Sequence, residues 1–376
     1  MKQGYKQSPL GIIPEEWEVK RLGDLCNDIS SGRNKIRTEL GKYPVYGSTG
    51  IIGMTDKYQY EGDKILVARV GAHAGLVSKA SGKYDVSDNT IIVENKQNYS
   101  IDFAYNQLVF MNLNKLVFGS GQPLITSGML KRLYVLYPKK EEQARICDLL
   151  SLWDTAITKQ TALIEQLTLR KCGLMQQLLT GKKRLKGFEG GSFHRLGNYI
   201  SECNRRNNGC KRVLSVTNTR GFILQEEQFD KIVASNDTSN YKVVRRGEFA
   251  YNPSRVNVGS LAMLNEYDEG ILSPMYIVFK ANENIDKSYL LQCLQSWWFR
   301  GHIPSYTQGS VRDSLSFDGL CSMKFYIPKL QEQKAISAIL EQADKEIEIQ
   351  KQKLTAMQEE KKGLMQVLLT GKKRIK

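Results

Sequence analysis

The segment KCGLMQQLLTGKKRLK at 171–186 returns as KKGLMQVLLTGKKRIK at 361–376, identical at thirteen of sixteen positions and displaced by 190 residues. A repeat at this distance is domain-sized, whereas solenoid units recur every ~20–50 residues. In a chain of 376 residues it marks two similar halves, each within the roughly 100–200 residues typical of a compact domain. A protein built this way suits a partner that itself has two halves.

The duplication extends upstream of its terminal signature. Pro138-Lys139 and Glu142-Gln143 recur as Pro328-Lys329 and Glu332-Gln333, and Ile146, Leu150, Asp154, Ile157 and Gln160 as Ile336, Leu340, Asp344, Ile347 and Gln350. The match has no gap, which points to rigid helix, because loops tolerate changes of length. Spacings alternate between three and four along Ile146, Leu150, Trp153, Ile157, Gln160, Ile164, Leu167, Lys171, Leu174 and Leu178. The second copy reads Ile336, Leu340, Ala343, Ile347, Gln350, Leu354, Met357, Lys361, Leu364 and Leu368. This is a heptad seam, which buries one stripe against another helix, and the simplest partner for either seam is the other. A polar seam residue such as Gln160 or Gln350 fixes register. A helix from about Glu141 to Leu179 is ~58 Å long, with Gly181 and Gly371 at C-cap positions and basic residues following. Ser151-x-x-Asp154 offers the alternative of a helix restarting near 150.

Between the repeats lie segments that share little sequence. In 15–138, KYPVYG, GIIGM, KILVARV and NTIIVE read as strands, followed by a short helix around 102–112 and a strand at KRLYVLYP. In 191–327, KRVLSV, NYKVV, GEFAYNP and MYIVFK are followed by a helical LLQCLQSWW and by MKFYIP, with Gly and Pro at the breaks. Arg21-Leu22-Gly23-Asp24 resembles Arg195-Leu196-Gly197-Asn198, and Ile101-Asp102 resembles Ile285-Asp286 before each helix. The fold class expected is α+β: mixed α/β domains at 1–138 and 187–327, each leading into a long helix, at 139–186 and 328–376.

The net charge of +15 concentrates polyanions at the surface and makes nucleic acid the leading partner class, although a lysine-rich face is also simply a solvated one. Seven Cys stand singly without a CxxC pair, and there are three His. Only a meeting of Cys203 with Cys210 approaches metal-ligand spacing, so no metal is expected and the thiols are expected reduced. No stretch approaches the ~20 apolar residues of a membrane span, and the opening residues hold no apolar signal core. A cytoplasmic protein without a membrane partner is expected.

No catalytic motif emerges. TGKK at 180–183 and 370–373 lacks P-loop spacing. GSTG at 47–50 and GSGQ at 119–122 lack the strand–turn–helix setting of a cofactor turn. Asn252-Pro253-Ser254 lacks the second Pro and the ring of the amino-methyltransferase motif, and Glu61 with Asp63 reads as a turn. The loops carry the more useful chemistry: Arg33, Asn34, Lys35 and Arg37, then Ser48-Thr49, Arg69, Ser120 and Gln122 in the first domain. In the second they are Arg205, Arg206 and Asn207, Arg255 and Asn257, and Tyr306, Gln308, Ser310 and Arg312. Arg and Asn/Gln are the bidentate partners of guanine and adenine, and the same side chains clamp phosphates.

The Ile13-Pro14-x-x-Trp17 opening, the Pro-x-x-x-Glu-Gln junctions at 138–143 and 328–333, and the doubled GLMQ-x-LLTGK tails at 173–182 and 363–372 resemble the specificity subunit of type I restriction-modification enzymes. The resemblance covers almost the whole chain. It implies two target recognition domains that each read half of a bipartite double-stranded DNA site, separated by two antiparallel helices forming a coiled coil in a pseudo-two-fold repeat. It also implies that two methyltransferase subunits dock on the helices, joined by motor/endonuclease subunits. S-adenosylmethionine, ATP and Mg then belong to those partners, with no cofactor in this chain. The family's recognition features correspond to Tyr46-Gly47-Ser48, Arg69-Val70-Gly71 and Gly121-Gln122-Pro123 in the first domain. In the second they correspond to Tyr251-Asn252-Pro253, Gly259-Ser260 and Gly309-Ser310-Val311-Arg312. The second domain lacks the Pro-x-x-Trp opening. The competing readings are a basic coiled-coil scaffold without sequence-specific DNA binding and an enzyme with its own catalysis.

Overall fold

The computed structural model describes residues 3–35, 38–117, 123–228, 237–307 and 314–375. The chain divides into two compact units, Met1–Thr161 with Lys353–Lys376, and Ala162–Gln352. The division falls inside both long helices, Lys140–Leu178 and Leu330–Leu368. Each unit therefore joins one globular segment to the first part of its own helix and the last part of the other.

In the first unit, strands Cys26–Ser31, Thr90–Asn95, Lys64–Ala68 and Val77–Ala80 form an antiparallel sheet in that spatial order. The period-2 alternation of a strand divides its side chains between two faces. Ile65, Val67, Ile91 and Val93 join the main core with Phe103, Ala104 and Leu108 of the helix Ile101–Met111. Leu66 and Ile92 pack on the opposite side against Tyr84 and Val86. Those two belong to a second sheet, ordered Gly50–Thr55, Tyr43–Gly47, Lys83–Val86 and Tyr60–Glu61.

The second unit repeats the first sheet with strands Ile200–Glu202, Ile277–Ala281, Phe249–Tyr251 and Leu261–Met263. Phe249, Tyr251 and Phe279 face the main core, and Ala250 and Val278 face a smaller cluster. Its other described strands form two-stranded ladders, Ser192–Arg195 with Lys324–Ile327, Leu214–Thr217 with Gly221–Leu224 and Lys242–Arg245 with Glu269–Leu272. The two globular segments thus share a sheet and differ in what is laid over it.

The matched openings take matched roles. Leu22 and Leu196 are fully buried at the start of 3-10 turns, and their amides donate to the carbonyls of Leu133 and Met323. A Cβ on Gly23 or Gly197 would lie 3.0 Å from Lys131 or Cys321. The likeness of Ile101-Asp102 to Ile285-Asp286 is two residues out of register. Ser100 caps the first helix and Asp286 the second, Lys287–Gln295. Either side chain accepts an N-terminal amide, so the structural equivalence is of function, Ser with Asp, and the repeated dipeptide is incidental.

The junction glutamines show why Glu-Gln recurs. Gln143 accepts from the Ser100 amide at 2.8 Å and donates to the Pro138 carbonyl at 2.8 Å. Gln333 accepts from Asp286 at 2.7 Å and donates to Pro328 at 2.9 Å. Each amide ties the start of a long helix to the cap of a domain helix. Changing Gln143 to Leu leaves the Ser100 amide without this acceptor, and the expected loss is about 2 kcal/mol in thermal or urea denaturation of the full chain. An unchanged midpoint would refute this role for the amide.

Other sequence expectations are corrected. The continuous central helix is borne out and only its alternative, a restart near 150, falls: the Ser151 hydroxyl donates to the Asp148 carbonyl within the helix instead of capping a new one. Lys131 and Arg132 end a helix, Ser127–Arg132, and only Tyr134–Tyr137 of that stretch is strand. A hairpin of Tyr5–Ser8 with Gly11–Pro14 precedes the first expected strand.

All seam positions are buried or half-buried. Ile146 and Leu150 join the first core with Leu364 and Leu368, and Leu174 and Leu178 join the second with Ile336 and Leu340. Trp153, Ile157, Ile164, Leu167, Leu354 and Met357 are half-buried, while Ile347 and Gln160 are buried. Within the first unit the helix segments run antiparallel, with Lys361 on Asp154 at 2.5 Å and Arg374 on Glu142 at 2.8 Å. Within the second, Lys171 meets Asp344 at 2.5 Å and Arg184 meets Glu332 at 2.5 Å.

Candidate nucleic-acid interface

In the first unit, a short turn gathers loops that are far apart in sequence. Strands Lys83–Val86 and Thr90–Asn95 are joined by Ser87, Asp88 and Asn89. The amides of Arg33 and Asn34 donate to the Val86 carbonyl at 3.1 and 3.0 Å, and the Ser87 amide donates to Tyr46 at 2.9 Å. The Ser48 hydroxyl donates to the Asn89 carbonyl at 3.0 Å. The Arg69 amide also reaches Asn89, and its guanidinium reaches Asp88 at 3.4 Å. On its far side, the Arg69 carbonyl accepts from Ile125 at 2.9 Å, and Gly71 donates to Pro123 at 3.1 Å. A Ser-Asp-Asn triplet between two apolar runs is a local turn signal, but nothing in it announces the distant segments that meet there.

The candidate side chains do not all remain free. Arg33 and Lys35 are exposed. Asn34 is buried and its amide donates to Asp85 at 2.6 Å, so it is placed as a structural group. Ser48 and Arg69 are half-buried. Arg37, Ser120 and Gln122 lie outside the described residues.

The second unit repeats one of these ties. The Leu315 amide donates to the Pro253 carbonyl at 3.1 Å, in the place that Ile125 and Arg69 hold in the first. The turn after strand Phe249–Tyr251 presents Arg255 and Asn257, both exposed, and the Ser260 hydroxyl ties it to the Val216 carbonyl at 2.8 Å. Arg205, Arg206 and Asn207 run instead along Tyr241–Val243. Arg205 is half-buried and ion-paired to Glu248. Burial alone would depress its guanidinium pKa, and the Glu248 hydrogen bond and charge outweigh that and raise it. Asn207 holds a turn through the Cys210 amide and carbonyl at 2.9 and 3.0 Å, while Arg206 is exposed. Tyr306 is half-buried against the second core. Gln308, Ser310 and Arg312 lie outside the described residues.

Among the described residues no group of three or more His, Cys, Asp or Glu converges as metal ligands. Burial pushes the Cys26, Cys147 and Cys293 thiols up to about 12, so none is a thiolate nucleophile at neutral pH. Cys203 is buried and donates to Glu248 at 3.7 Å. Among the described residues no helix is long and apolar enough to cross a membrane.

Residues 14–169 and 197–359 match the type I restriction modification DNA specificity domain. The chain belongs to this family. It carries two copies of the specificity domain, and each match runs from a globular segment into its long helix. Over 417 aligned residues the chain is 26% identical to the type I restriction enzyme MjaVIII specificity subunit of Methanocaldococcus jannaschii, covering 100% of this chain and 97% of that one. It is 32% identical over 159 residues to the Escherichia coli EcoprrI specificity subunit, 40% of either chain. The S subunit of a type I restriction-modification system from M. genitalium superposes with a TM-score of 0.58 at 17% identity, covering 94% of this chain and 96% of that one. A chain solved in work on complex assembly and conformational transition of the type I R-M system gives 0.59 at 13%, covering 96% and 99%. These likenesses establish the fold.

Within this family the duplicated motifs acquire a physical reading. The tail arginine and the junction glutamate are two ends of one ion pair. Arg374 donates from Nε and Nη2 to Glu142 at 3.0 and 2.8 Å, and Arg184 does the same to Glu332 at 2.8 and 2.5 Å. Each tail thus closes on the junction belonging to the other repeat, and LLTGKKR and Pro-x-x-x-Glu-Gln recur together. The preceding glycine admits the tail. Gly371 has φ +69° with Pro14 and Trp17 against it, and Gly181 has φ +71° with the Tyr326 ring against it. The missing Pro-x-x-Trp of the second domain is thereby explained, since Tyr326 from a strand supplies the aromatic wall that Trp17 supplies in the first.

Proposed function

We propose that this chain is the non-catalytic DNA-reading subunit of a type I restriction-modification assembly, each globular segment reading one half of a bipartite site. The observation that carries this is the convergence of separate polar loops on one rigid turn in the first unit, with the same tie between Leu315 and Pro253 in the second. Loops held on a rigid scaffold suit recognition. Phosphate contacts from Arg33, Lys35, Arg206 and Arg255 would position each domain, and base-edge contacts would specify. In this reading the long helices form an antiparallel coiled coil with pseudo-two-fold symmetry that fixes the spacing of the half-sites. They also carry two methyltransferase subunits, and S-adenosylmethionine, ATP and Mg serve those and the motor subunits. Two linked readers gain affinity only where geometry lets both engage.

The test is methylome sequencing of cells carrying the chain with its methyltransferase partner. A bipartite motif with a fixed unread spacer is expected, and it should vanish when the chain is deleted. Inserting one heptad at matching points in both helices lengthens each by about 10 Å and should lengthen the spacer while leaving both half-sites unchanged. A motif independent of the chain would overturn the reading, and altered half-sites at the original spacing would overturn the helices' role.

A further inference from the structure

In the second unit the most exposed large aromatic ring stands near two cations that are unpaired among the described residues. Trp297 is 81% exposed, although its neighbours Ser296 and Phe299 are only 6% and 1% exposed. It opens the short helix Trp297–His302, which Ser296 caps by accepting the Phe299 amide at 3.1 Å. Trp298, next in sequence, turns inward, stacked on His302 at 4.2 Å and edge-on to Phe325 at 5.1 Å. The backbone beneath Trp297 is therefore fixed from both sides, and the exposed indole stands on a rigid base.

Residues three apart lie on one helix face, which puts Arg300 beside Trp297. Arg300 in turn covers the turn that presents Arg255 and Asn257. A Cβ on Gly259, which has φ +97°, would lie 3.5 Å from Arg300 Nη2 and 3.4 Å from Asn218. The guanidiniums of Arg205, Arg220 and Arg246 are each ion-paired. Those of Arg255 and Arg300 have no carboxylate or hydrogen-bond partner among the described residues.

We propose that Trp297, Arg300 and Arg255 form a contact face for duplex DNA, the guanidiniums holding phosphates and the indole packing on a sugar–base edge of the second half-site. Apolar side chains beside arginines act in this way where proteins press into a groove. Phosphates supply the negative charge that these two cations lack among the described residues, and an indole on a held backbone has only its own rotamer freedom to lose on contact. The inference rests on the reading of the second unit as a DNA reader.

The test uses the full chain and duplexes bearing the bipartite motif found in the methylome, with W297A, W297F, R300A and wild type compared by equilibrium binding across a salt series. W297A and R300A are each expected to weaken binding about tenfold, or about 1.4 kcal/mol, with thermal midpoints unchanged because both side chains are exposed. W297F should stay within about threefold of wild type. R300A should reduce the salt slope by about one, and W297A should leave it unaltered. Binding by W297A within about twofold of wild type overturns the proposal while leaving the function intact. Loss of methyltransferase co-purification with unchanged DNA affinity also overturns it, assigning the face to a protein partner. Failure of the wild type to prefer the motif over unrelated DNA defeats the functional reading, and this inference with it.

Discussion

Replacing Arg374 with alanine is expected to destabilise the first unit by about 3 kcal/mol, lowering its thermal midpoint by about 6–12 °C. Glu142 is only 6% exposed, and its carboxylate is held by two bonds from Arg374 and one from the Trp17 indole at 2.9 Å. Arg374 also reaches Glu16 at 3.1 Å, and its pKa is raised by the Glu142 and Glu16 hydrogen bonds. Alanine leaves a desolvated carboxylate with the indole as its remaining donor, which costs far more than a surface pair is worth. Lysine should rescue only in part, because a point charge cannot reproduce the planar fork. Arg374→Glu combined with Glu142→Arg should recover part of the loss, and a double-mutant cycle would measure the coupling. A midpoint within about 1 °C of wild type in the alanine variant would show that the tail contributes nothing to closure.

Replacing Gly32 with valine is expected to cost about 3 kcal/mol and to abolish reading of the first half-site alone. A Cβ there would lie 2.3 Å from the Val86 carbonyl oxygen and 2.4 Å from that of Ser87. Neither can withdraw freely, because Val86 accepts from Arg33 and Asn34, and Ser87 donates to Tyr46. Displacing that turn displaces Ser48 and Arg69 with it. The readout is binding to duplexes with one or the other half-site scrambled. Discrimination at the second half-site should persist, and retained discrimination at the first would exclude the turn as its scaffold.

Much of this architecture is written locally. The 3-4 alternation from Ile146 to Leu178 marks the buried stripe, because burial on a helix follows its own period. Gly181 and Gly371 mark helix ends through their left-handed φ of +71° and +69°, and the short apolar runs mark strands. The loops around Arg33, Ser48 and Arg69 were also legible as polar segments between strands. Their meeting at one turn was not, since Ser87-Asp88-Asn89 acquires its role only when three other segments reach it.

Other features depend on what lies across the fold. Asn34 and Asn207 read as base-edge donors, yet Asp85 and the Cys210 backbone already hold their side chains. Adjacent tryptophans in Ser-Trp-Trp read alike, but one packs on His302 and the other stays in solvent. By itself the sequence determined that the chain has two domain-sized halves, each with a sheet and a long one-sided helix, because periodicity and turn chemistry act over a few residues. Only the tertiary structure decided that Arg184 closes on Glu332 and Arg374 on Glu142, across separations of 148 and 232 residues. An ion pair leaves no spacing signature along the chain, and its partner is chosen by where the packed helices bring the charges.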